Sequence, residues 1–252
     1  FDTYGKGRDK IITLQNSFHG RTMETLTATG QDELHQYFDP FPPGFRYAAA
    51  NDLDALKAAI DETVCAVMME PVQGEGGVQP LDADFVHKAS ELCREKDILL
   101  IFDEVQTGVG RTGKLYAWEH FGVRPDILTS AKVLGGGLPV GACLCVERLG
   151  AVMGPGTHGS TFGGNPIVCA GVCEVLSRME EPLFQQVRQR GAFLRDTLSK
   201  CDEIVEIRGM GLMLGLVLQT KQAKAVAARC VERGLLVLTA KTLVRLLPPL
   251  TI

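Results

Sequence analysis

Basic charge and long apolar runs are both scarce in this sequence. The 252 residues include 26 Lys and Arg against 30 Asp and Glu, which gives a net charge of −4. This balance argues against nucleic acid or an anionic membrane surface as the main partner. No apolar run approaches the roughly 20 residues of a membrane span, and no basic, apolar leader opens the chain. We expect a cytoplasmic globular protein, cut at Phe1 and Ile252 from something longer.

Metal-binding and disulfide motifs are also missing. The eight cysteines form no Cys-x-x-Cys pair, and the five histidines lack the spacing of metal ligands. Most of the cysteines lie in apolar helix or strand patterns, so we expect them to be reduced and buried as small hydrophobic residues. We predict no metal.

The stretch that organises the chain is the apolar run at residues 98–102. Five consecutive apolar residues without polar alternation predict an interior strand of a parallel sheet. The run stops at Asp103 and Glu104, and ligands of open α/β sheets bind at the carboxyl ends of strands. Asp103 is therefore a candidate site residue, with a helix N-cap as the alternative. A second apolar run, 64–69, ends likewise at Glu70.

The remaining pattern alternates strands with amphipathic helices as far as residue 180. It predicts an α/β fold, with a mostly parallel sheet sandwiched by helices, for a cofactor-binding large domain at 1–180. Residues 181–252 mix helices with short strands and predict a partial α+β C-terminal domain. The predicted strands are 10–14, 64–69, 98–102, 126–130, 141–146, two within 204–217, 235–238 and 243–247. The predicted helices are 23–29, 51–61, 81–96, 166–179, 183–199 and 223–233.

A glycine-rich segment after the central strand imitates nucleotide-binding motifs. Gly108, Gly110 and Gly113 fit G-x-G-x-x-G, and the segment nearly fits a P-loop. Leu115 stands where a P-loop needs a hydroxyl, and no acidic residue lies at the spacing of a dinucleotide site. An NTPase is therefore only a distant alternative.

Lys132 is unusual because it lies between an apolar strand and three glycines. Desolvation there would lower the pKa of its amine and make it nucleophilic, although a solvent-exposed surface lysine is the alternative. Residues 157–166 form a loop rich in hydroxyls and glycine before a helix, which suits a phosphate. Phe18 lies in another loop, where it could stack on a ligand or plug the core. With Asp103, these features make a coherent site for pyridoxal 5'-phosphate.

Five ordered motifs carry a family resemblance that runs over practically the whole chain. They are residues 18–22 (FHGRT), 70–77 (EPVQGEGG), 103–108 (DEVQTG), 131–137 (AKVLGGG) and 158–166 (HGSTFGGNP). The chain resembles the class III pyridoxal-phosphate aminotransferases of fold type I, especially those acting on acetylornithine or succinylornithine.

The resemblance implies roles for residues around the cofactor. Lys132 would carry the Schiff base and exchange the substrate proton, while Asp103 would pair with the pyridine nitrogen. Phe18 and Val105 would pack on opposite ring faces, and Gln106 would lie near the phenolic oxygen. Glu104 falls within the same cofactor-binding stretch.

Further residues are implied for the substrate and for a second subunit. Thr161 would bind the phosphate of the neighbouring subunit's cofactor and Ser160 would lie near its substrate, so active sites would be shared across a homodimer. Arg21 and Arg245 look like carboxylate-binding residues. Glu75 would mask Arg245 while the amino donor binds and release it for 2-oxoglutarate.

The implied reaction converts N-acetylornithine and 2-oxoglutarate to N-acetylglutamate 5-semialdehyde and glutamate, in arginine biosynthesis. Ornithine, succinylornithine and 4-aminobutyrate are alternative amino donors. Members of the family begin upstream of this chain and carry a phosphate-binding turn and closing C-terminal helices that are missing here. A non-catalytic fragment that does not retain the cofactor is therefore the alternative from another class.

Overall fold

A computed structural model of the chain describes residues 7–220 and 222–252. Its strands are β1 (Lys10–Leu14), β2 (Phe45–Ala48), β3 (Val64–Met69), β4 (Val72–Gln73), β5 (Gln79–Pro80), β6 (Leu99–Asp103), β7 (Ile127–Ser130), β8 (Ala142–Cys145), β9 (Ile204–Met210), β10 (Met213–Leu218), β11 (Leu238–Ala240) and β12 (Leu243–Leu246). Its α-helices are α1 (Met23–Ala28), α2 (Leu53–Ala59), α3 (Ala83–Glu95), α4 (Trp118–Phe121), α5 (Pro166–Ser177), α6 (Glu181–Leu198) and α7 (Ala223–Glu232).

Six strands form the main sheet in the order β2-β1-β3-β6-β7-β8. All neighbouring pairs are parallel except β7 and β8, which run antiparallel. Phe102 of β6 and Ile12 of β1 are fully buried, and Leu56 of α2 and Val86 of α3 belong to the same apolar cluster. Helices α2 and α3 bury their apolar faces against the sheet, as the alternation along the sequence predicts. The predicted α/β class with a mostly parallel sheet is confirmed.

A second, antiparallel sheet has the order β11-β12-β10-β9. Its central strand β10 buries Met213 and Leu214 completely. Val78, from the glycine-rich segment after β4, packs into the cluster of this sheet with Met213 and Leu243. The predicted division of the chain near residue 180 stays a prediction.

The topology brings the ends of three strands to one edge. β3, β6 and β7 are parallel neighbours, so their carboxyl ends lie at the same side of the sheet. Glu70 directly follows β3, Asp103 ends β6, and Lys132 comes two residues after β7. Crevices outside the carboxyl ends of parallel strands are the usual ligand sites of such sheets.

One expectation about local structure is wrong, because the strand predicted at 235–238 lies instead at Leu238–Ala240. The strand β2 was not predicted. β2 forms nevertheless, because it pairs along its whole length with β1. Pairing with a formed strand decides its conformation more than its own propensity does.

The expectation that most cysteines are buried is also wrong. All eight are free, but of these only Cys93 is buried, and Cys143, Cys145, Cys169, Cys173 and Cys201 are exposed. Four of the exposed cysteines lie in β8, whose residues are all exposed, and in α5, which has no buried residue. Apolar composition predicts burial only where another element covers the surface. None of the described helices is both long and apolar enough to cross a membrane.

Candidate active site

Asp103 is a buried carboxylate held on both oxygens. Its exposed fraction is 6%. Oδ1 accepts hydrogen bonds from the backbone N–H of Val105 (3.0 Å) and the hydroxyl of Thr129 (3.2 Å). Oδ2 lies 2.8 Å from Nδ1 of His19. Donors on both oxygens hold the carboxylate in one orientation at the end of β6.

Lys132 has a strained backbone and an amine among charged groups. Its φ of +49° lies in the left-handed region, which is uncommon for residues with a side chain and is frequent at functional sites. The residue as a whole is exposed, but desolvation of its amine lowers the pKa. Carboxylates of Asp103, Glu70 and Glu75 act in the opposite direction, and the Arg245 guanidinium lowers it further. The Lys132 amine therefore lies within electrostatic range of all four side chains.

Phe18 lies between this site and an exposed arginine. Phe18 is half-buried, and its backbone N–H donates a hydrogen bond to Oε1 of Glu70 at 2.8 Å. The guanidinium carbon of Arg21 lies 5.4 Å from the centroid of the Phe18 ring, within the range of a cation–π contact. The structure thus brings Phe18 and Arg21 into contact.

Arg245 and Glu75 form an ion pair, a contact that the family resemblance implies. Nη1 of Arg245 lies 2.7 Å from Oε1 of Glu75 and 3.4 Å from Oε1 of Gln106. Only 7% of the Arg245 side chain is exposed. Nε2 of Gln106 and Nε of Arg245 are buried without a hydrogen-bond partner among the described residues. Unpaired buried donors of this kind leave room for ligand oxygens.

Glu104 does not share the site with Asp103, although the two are neighbours in sequence. Its Oε2 accepts from the Thr107 hydroxyl (2.6 Å) and the Ala117 N–H (2.8 Å), and its Oε1 accepts from the Trp118 N–H (2.8 Å). Successive residues of a strand point to opposite faces, which separates the two carboxylates. Burial raises the Glu104 pKa, and its three donors oppose that effect. Its partners indicate a structural role.

Ser160 and Thr161 are not brought to Lys132 either. Both are exposed, in the loop that precedes α5, and the side chain of Asn165 caps that helix by accepting from the N–H of Val168 at 3.0 Å. Phe162, beside them, is 82% exposed. Among the described residues, nothing links this loop to Asp103 or Lys132.

Two residues of the site, His19 and Glu70, were not among the predicted site residues. His19 binds Asp103 across 84 positions, and Glu70 is 2% exposed beside the same pair. Burial raises the pKa of Glu70 to about 7, which the His19 charge opposes and the Asp103 charge supports. The available signals were the position of Glu70 at the end of a buried strand and that of His19 in the motif at residues 18–22.

Comparison with known proteins decides the family. The family model described as "Aminotransferase class-III" matches residues 2–252. The chain belongs to the class-III aminotransferases. An acetylornithine aminotransferase of Haemophilus ducreyi is 47% identical over 253 residues, covering 100% of this chain and 64% of that protein. A succinylornithine transaminase of Salmonella paratyphi A is 50% identical over 260 residues, again covering 100% and 64%.

Solved aminotransferase structures agree with the fold. The ornithine aminotransferase of Toxoplasma gondii ME49 has a TM-score of 0.91 at 38% identity, covering 97% of this chain and 61% of that one. The N-acetylornithine aminotransferase of Stenotrophomonas maltophilia K279a has a TM-score of 0.81 at 36% identity, covering 98% and 62%. This class-III aminotransferase chain therefore spans about 64% of the length of its curated relatives.

The site residues fit the cofactor of class-III aminotransferases, pyridoxal 5'-phosphate. Oδ2 of Asp103 has one protein partner and keeps acceptor capacity for a protonated ring nitrogen. The buried, unpaired Nε2 of Gln106 is a donor without an acceptor, which suits a ring oxygen. The desolvated amine of Lys132 suits an aldehyde. For the phosphate, the motif resemblance offers Thr161, whose loop is exposed.

Proposed function

We propose that the protein transfers the amino group of N-acetylornithine to 2-oxoglutarate with pyridoxal 5'-phosphate, as a step of arginine biosynthesis. The observation that carries the proposal is the electrostatic neighbourhood of the Lys132 amine, which includes Asp103 and the Arg245–Glu75 pair. Such a transfer needs three groups: a nucleophilic lysine, a buried carboxylate, and an arginine whose carboxylate partner can be replaced by that of the substrate. The eight free cysteines are in keeping with action in the cytoplasm.

The roles of the residues follow from their chemistry. Lys132, Asp103, Phe18, Val105 and Gln106 would hold the cofactor, which supplies a carbonyl for the amino group and an electron-accepting ring. The Asp103 carboxylate keeps a proton on the ring nitrogen, because a nearby anion raises the pKa of such a group by about 1–3 units. Lys132 moves the proton at the α-carbon of the substrate as general base and acid, a contribution typically worth about 10²–10⁴-fold in rate.

Carboxylate recognition divides between two arginines. Arg245 is buried and already paired with Glu75, so an incoming dicarboxylate can replace one carboxylate by another without leaving the guanidinium unpaired. Arg21 is exposed beside Phe18 and can bind the second carboxylate. A planar guanidinium binds carboxylates through two hydrogen bonds, which suits a 2-oxoglutarate acceptor.

The active site is proposed to be completed by a second copy of the chain. Ser160 and Thr161 are exposed, and Phe162 and Ile167 near them are 82% and 78% exposed. Such an apolar surface around polar loop residues is typical of a subunit interface. We expect a dimer in sedimentation experiments, and Ile167→Asp should shift it toward monomer and weaken cofactor binding. A monomeric wild type with bound cofactor would contradict this.

The test of the proposed function is covalent trapping. The protein is mixed with pyridoxal 5'-phosphate, its visible absorbance is recorded, and borohydride reduction is followed by peptide mass mapping. We expect a pyridoxyl label on Lys132, which Lys132→Gln abolishes and Lys57→Gln, at an exposed helix position, leaves intact. Label spread over surface lysines would favour a non-catalytic chain instead.

The amino donor is tested on protein that passes this step. Rates with N-acetylornithine, succinylornithine, ornithine and 4-aminobutyrate are compared at a fixed concentration of 2-oxoglutarate. We expect the acylated ornithines to react fastest. A preference for free ornithine would overturn the assigned donor while leaving transamination intact.

A further inference from the structure

A buried set of three ionisable groups lies around the carboxyl ends of β3 and β6. It comprises Asp103, His19 and Glu70, and the side chain of His19 has no exposed surface. A carboxylate accepts hydrogen bonds and does not donate them, so Nδ1 of His19 carries the proton that it shares with Oδ2 of Asp103 at 2.8 Å. This bond fixes both the ring orientation of the histidine and one oxygen of the aspartate.

Glu70 connects this pair to the loops on either side. Its Oε1 accepts from the N–H of Phe18 at 2.8 Å and its Oε2 accepts from the N–H of Gly74 at 3.2 Å. The Glu70 carboxylate therefore binds two segments through their backbone N–H groups. One is the loop that carries Phe18 and His19, and the other is the glycine-rich segment next to Glu75. Its charge attracts that of His19 and repels that of Asp103.

The far nitrogen of His19 shows that the ring is not simply filling space. Nε2 is buried without a hydrogen-bond partner among the described residues. An unpaired buried polar atom costs free energy that an apolar ring of similar shape would avoid. The imidazole is therefore better explained by the hydrogen bond from its Nδ1 to Asp103 than by packing.

We propose that His19 and Glu70 are positioning residues for Asp103: His19 orients the Asp103 carboxylate through the hydrogen bond from Nδ1, and Glu70 holds the loop that carries His19 and couples to its ring. This inference rests on the proposed function, since Asp103 is the residue assigned to the ring nitrogen. The charged groups facing Asp103 are His19, Glu70 and the Lys132 amine, and those facing Glu70 are His19, Asp103 and Lys132.

Coupling between Glu70 and His19 can be measured in the protein without cofactor. The protein is prepared with ¹⁵N-labelled histidine, and the ring signals of His19 are followed by NMR between pH 5 and pH 9. Burial raises the pKa of Glu70 to about 7, so we expect an inflection near that pH in the His19 signals. Glu70→Gln should remove the inflection, and Glu62→Gln, an exposed carboxylate, should not. A His19 signal that is flat near pH 7, or unchanged by Glu70→Gln, would overturn the coupling.

The orienting hydrogen bond is tested by cofactor affinity. Asparagine can place its amide N–H near the position of Nδ1, whereas phenylalanine keeps a ring and loses the donor. We expect His19→Asn to bind pyridoxal 5'-phosphate within about 3-fold of wild type and His19→Phe to bind it at least about 10-fold more weakly, as for loss of a hydrogen bond to a charged group. If His19→Phe fails to fold, His19→Gln, whose amide lies beyond the Nδ1 position, replaces it.

The outcomes separate this inference from the proposed function. Equal affinities of the asparagine and the donor-lacking variants would overturn the role of His19 while leaving the cofactor assignment standing. Absence of a Lys132-directed cofactor site in the wild type would instead overturn the proposed function, and the NMR titration would still decide whether Glu70 and His19 are coupled. If His19 had a purely structural role, His19→Phe would lower the thermal stability of the protein but would bind the cofactor as tightly as His19→Asn does.

Discussion

The Arg245 guanidinium lies 2.7 Å from the Glu75 carboxylate, although 170 positions separate the two residues. Arg245 belongs to β12 of the antiparallel sheet, and Glu75 belongs to the glycine-rich segment between β4 and β5. The pair therefore joins the antiparallel sheet to the hairpin of β4 and β5, and the Lys132 amine is also in electrostatic range of both residues. Glu75 is 35% exposed and Arg245 only 7% exposed at the side chain, so the carboxylate is the partner that can move away.

The first prediction concerns this arginine. Arg245→Lys keeps the charge but loses the planar pair of donors, so we expect the KM for 2-oxoglutarate to rise by about 10–100-fold. The half-reaction with the amino donor, followed by the absorbance of the cofactor, should change by less. Arg46→Lys is the matched control, because Arg46 forms an ion pair of the same 2.7 Å length with Asp61 outside the site. An equal loss in both half-reactions would contradict a role specific to the acceptor.

The second prediction contrasts two adjacent carboxylates. Asp103→Asn should lower the transamination rate by about 10–1,000-fold with a small effect on stability, since one pKa unit corresponds to a factor of ten. Glu104→Gln should lower the free energy of unfolding by about 1–3 kcal/mol, because an amide cannot accept from all three donors that Glu104 serves. Rates per folded molecule and urea unfolding separate the two effects. If Glu104→Gln lowered the rate without lowering stability, Glu104 would have to be assigned to the cofactor site after all.

The third prediction is a pH dependence of stability that arises at Glu70. Burial raises its pKa in the folded protein from 4.5 to about 7, so the folded state binds the proton more tightly than the unfolded state does. Stability from this group is therefore fully present below pH 4.5 and falls, by about 3 kcal/mol in total, as the pH rises to 7. Urea unfolding between pH 5 and pH 8 should show this decline in wild type and lose it in Glu70→Gln. The same decline in both proteins would show that Glu70 is not its source.

The fourth prediction concerns a buried arginine in the glycine-rich segment that imitates a P-loop. The Arg111 guanidinium donates to the carbonyls of Leu212 (3.2 Å) and Pro248 (2.6 Å), and its own carbonyl accepts from the Leu212 N–H (3.1 Å). Arg111 thus links the segment after β6 of the main sheet to the loops of the antiparallel sheet. Arg111→Met should lower the free energy of unfolding by about 2–4 kcal/mol, because two buried carbonyls lose their donor.

Hydrogen exchange would show where that stability is lost. In Arg111→Met we expect faster exchange in β10 and β12 than in β3 and β6, since the arginine binds only the segments next to the antiparallel sheet. Arg94→Met, at an exposed position of α3, is the control and should leave exchange unchanged. Uniform acceleration in both sheets would mean that Arg111 does not act at their junction.

Local pattern predicted most elements of the fold but not what covers them. The strands at Lys10–Leu14 and Val64–Met69 have the predicted bounds, and both segments contain β-branched residues, which favour strands. β2 was missed because its pairing with β1 decides it. The cysteines of β8 and α5 were wrongly expected to be buried, since an apolar residue is buried only when a neighbouring element lies over it.

The same division holds for the site. The order of apolar runs made Asp103 and Lys132 candidates, because the carboxyl ends of parallel strands share one edge, and the family resemblance gave them their roles. Only the tertiary structure decided that His19 binds Asp103 and that Glu104 faces away, and the contact of Arg245 with Glu75 was implied by the family resemblance and not by local pattern. Such pairings join residues that are 84 and 170 positions apart, or depend on which face of a strand is turned to the pocket. A sequence pattern records local preference, whereas the partner of a buried charge depends on how distant segments pack.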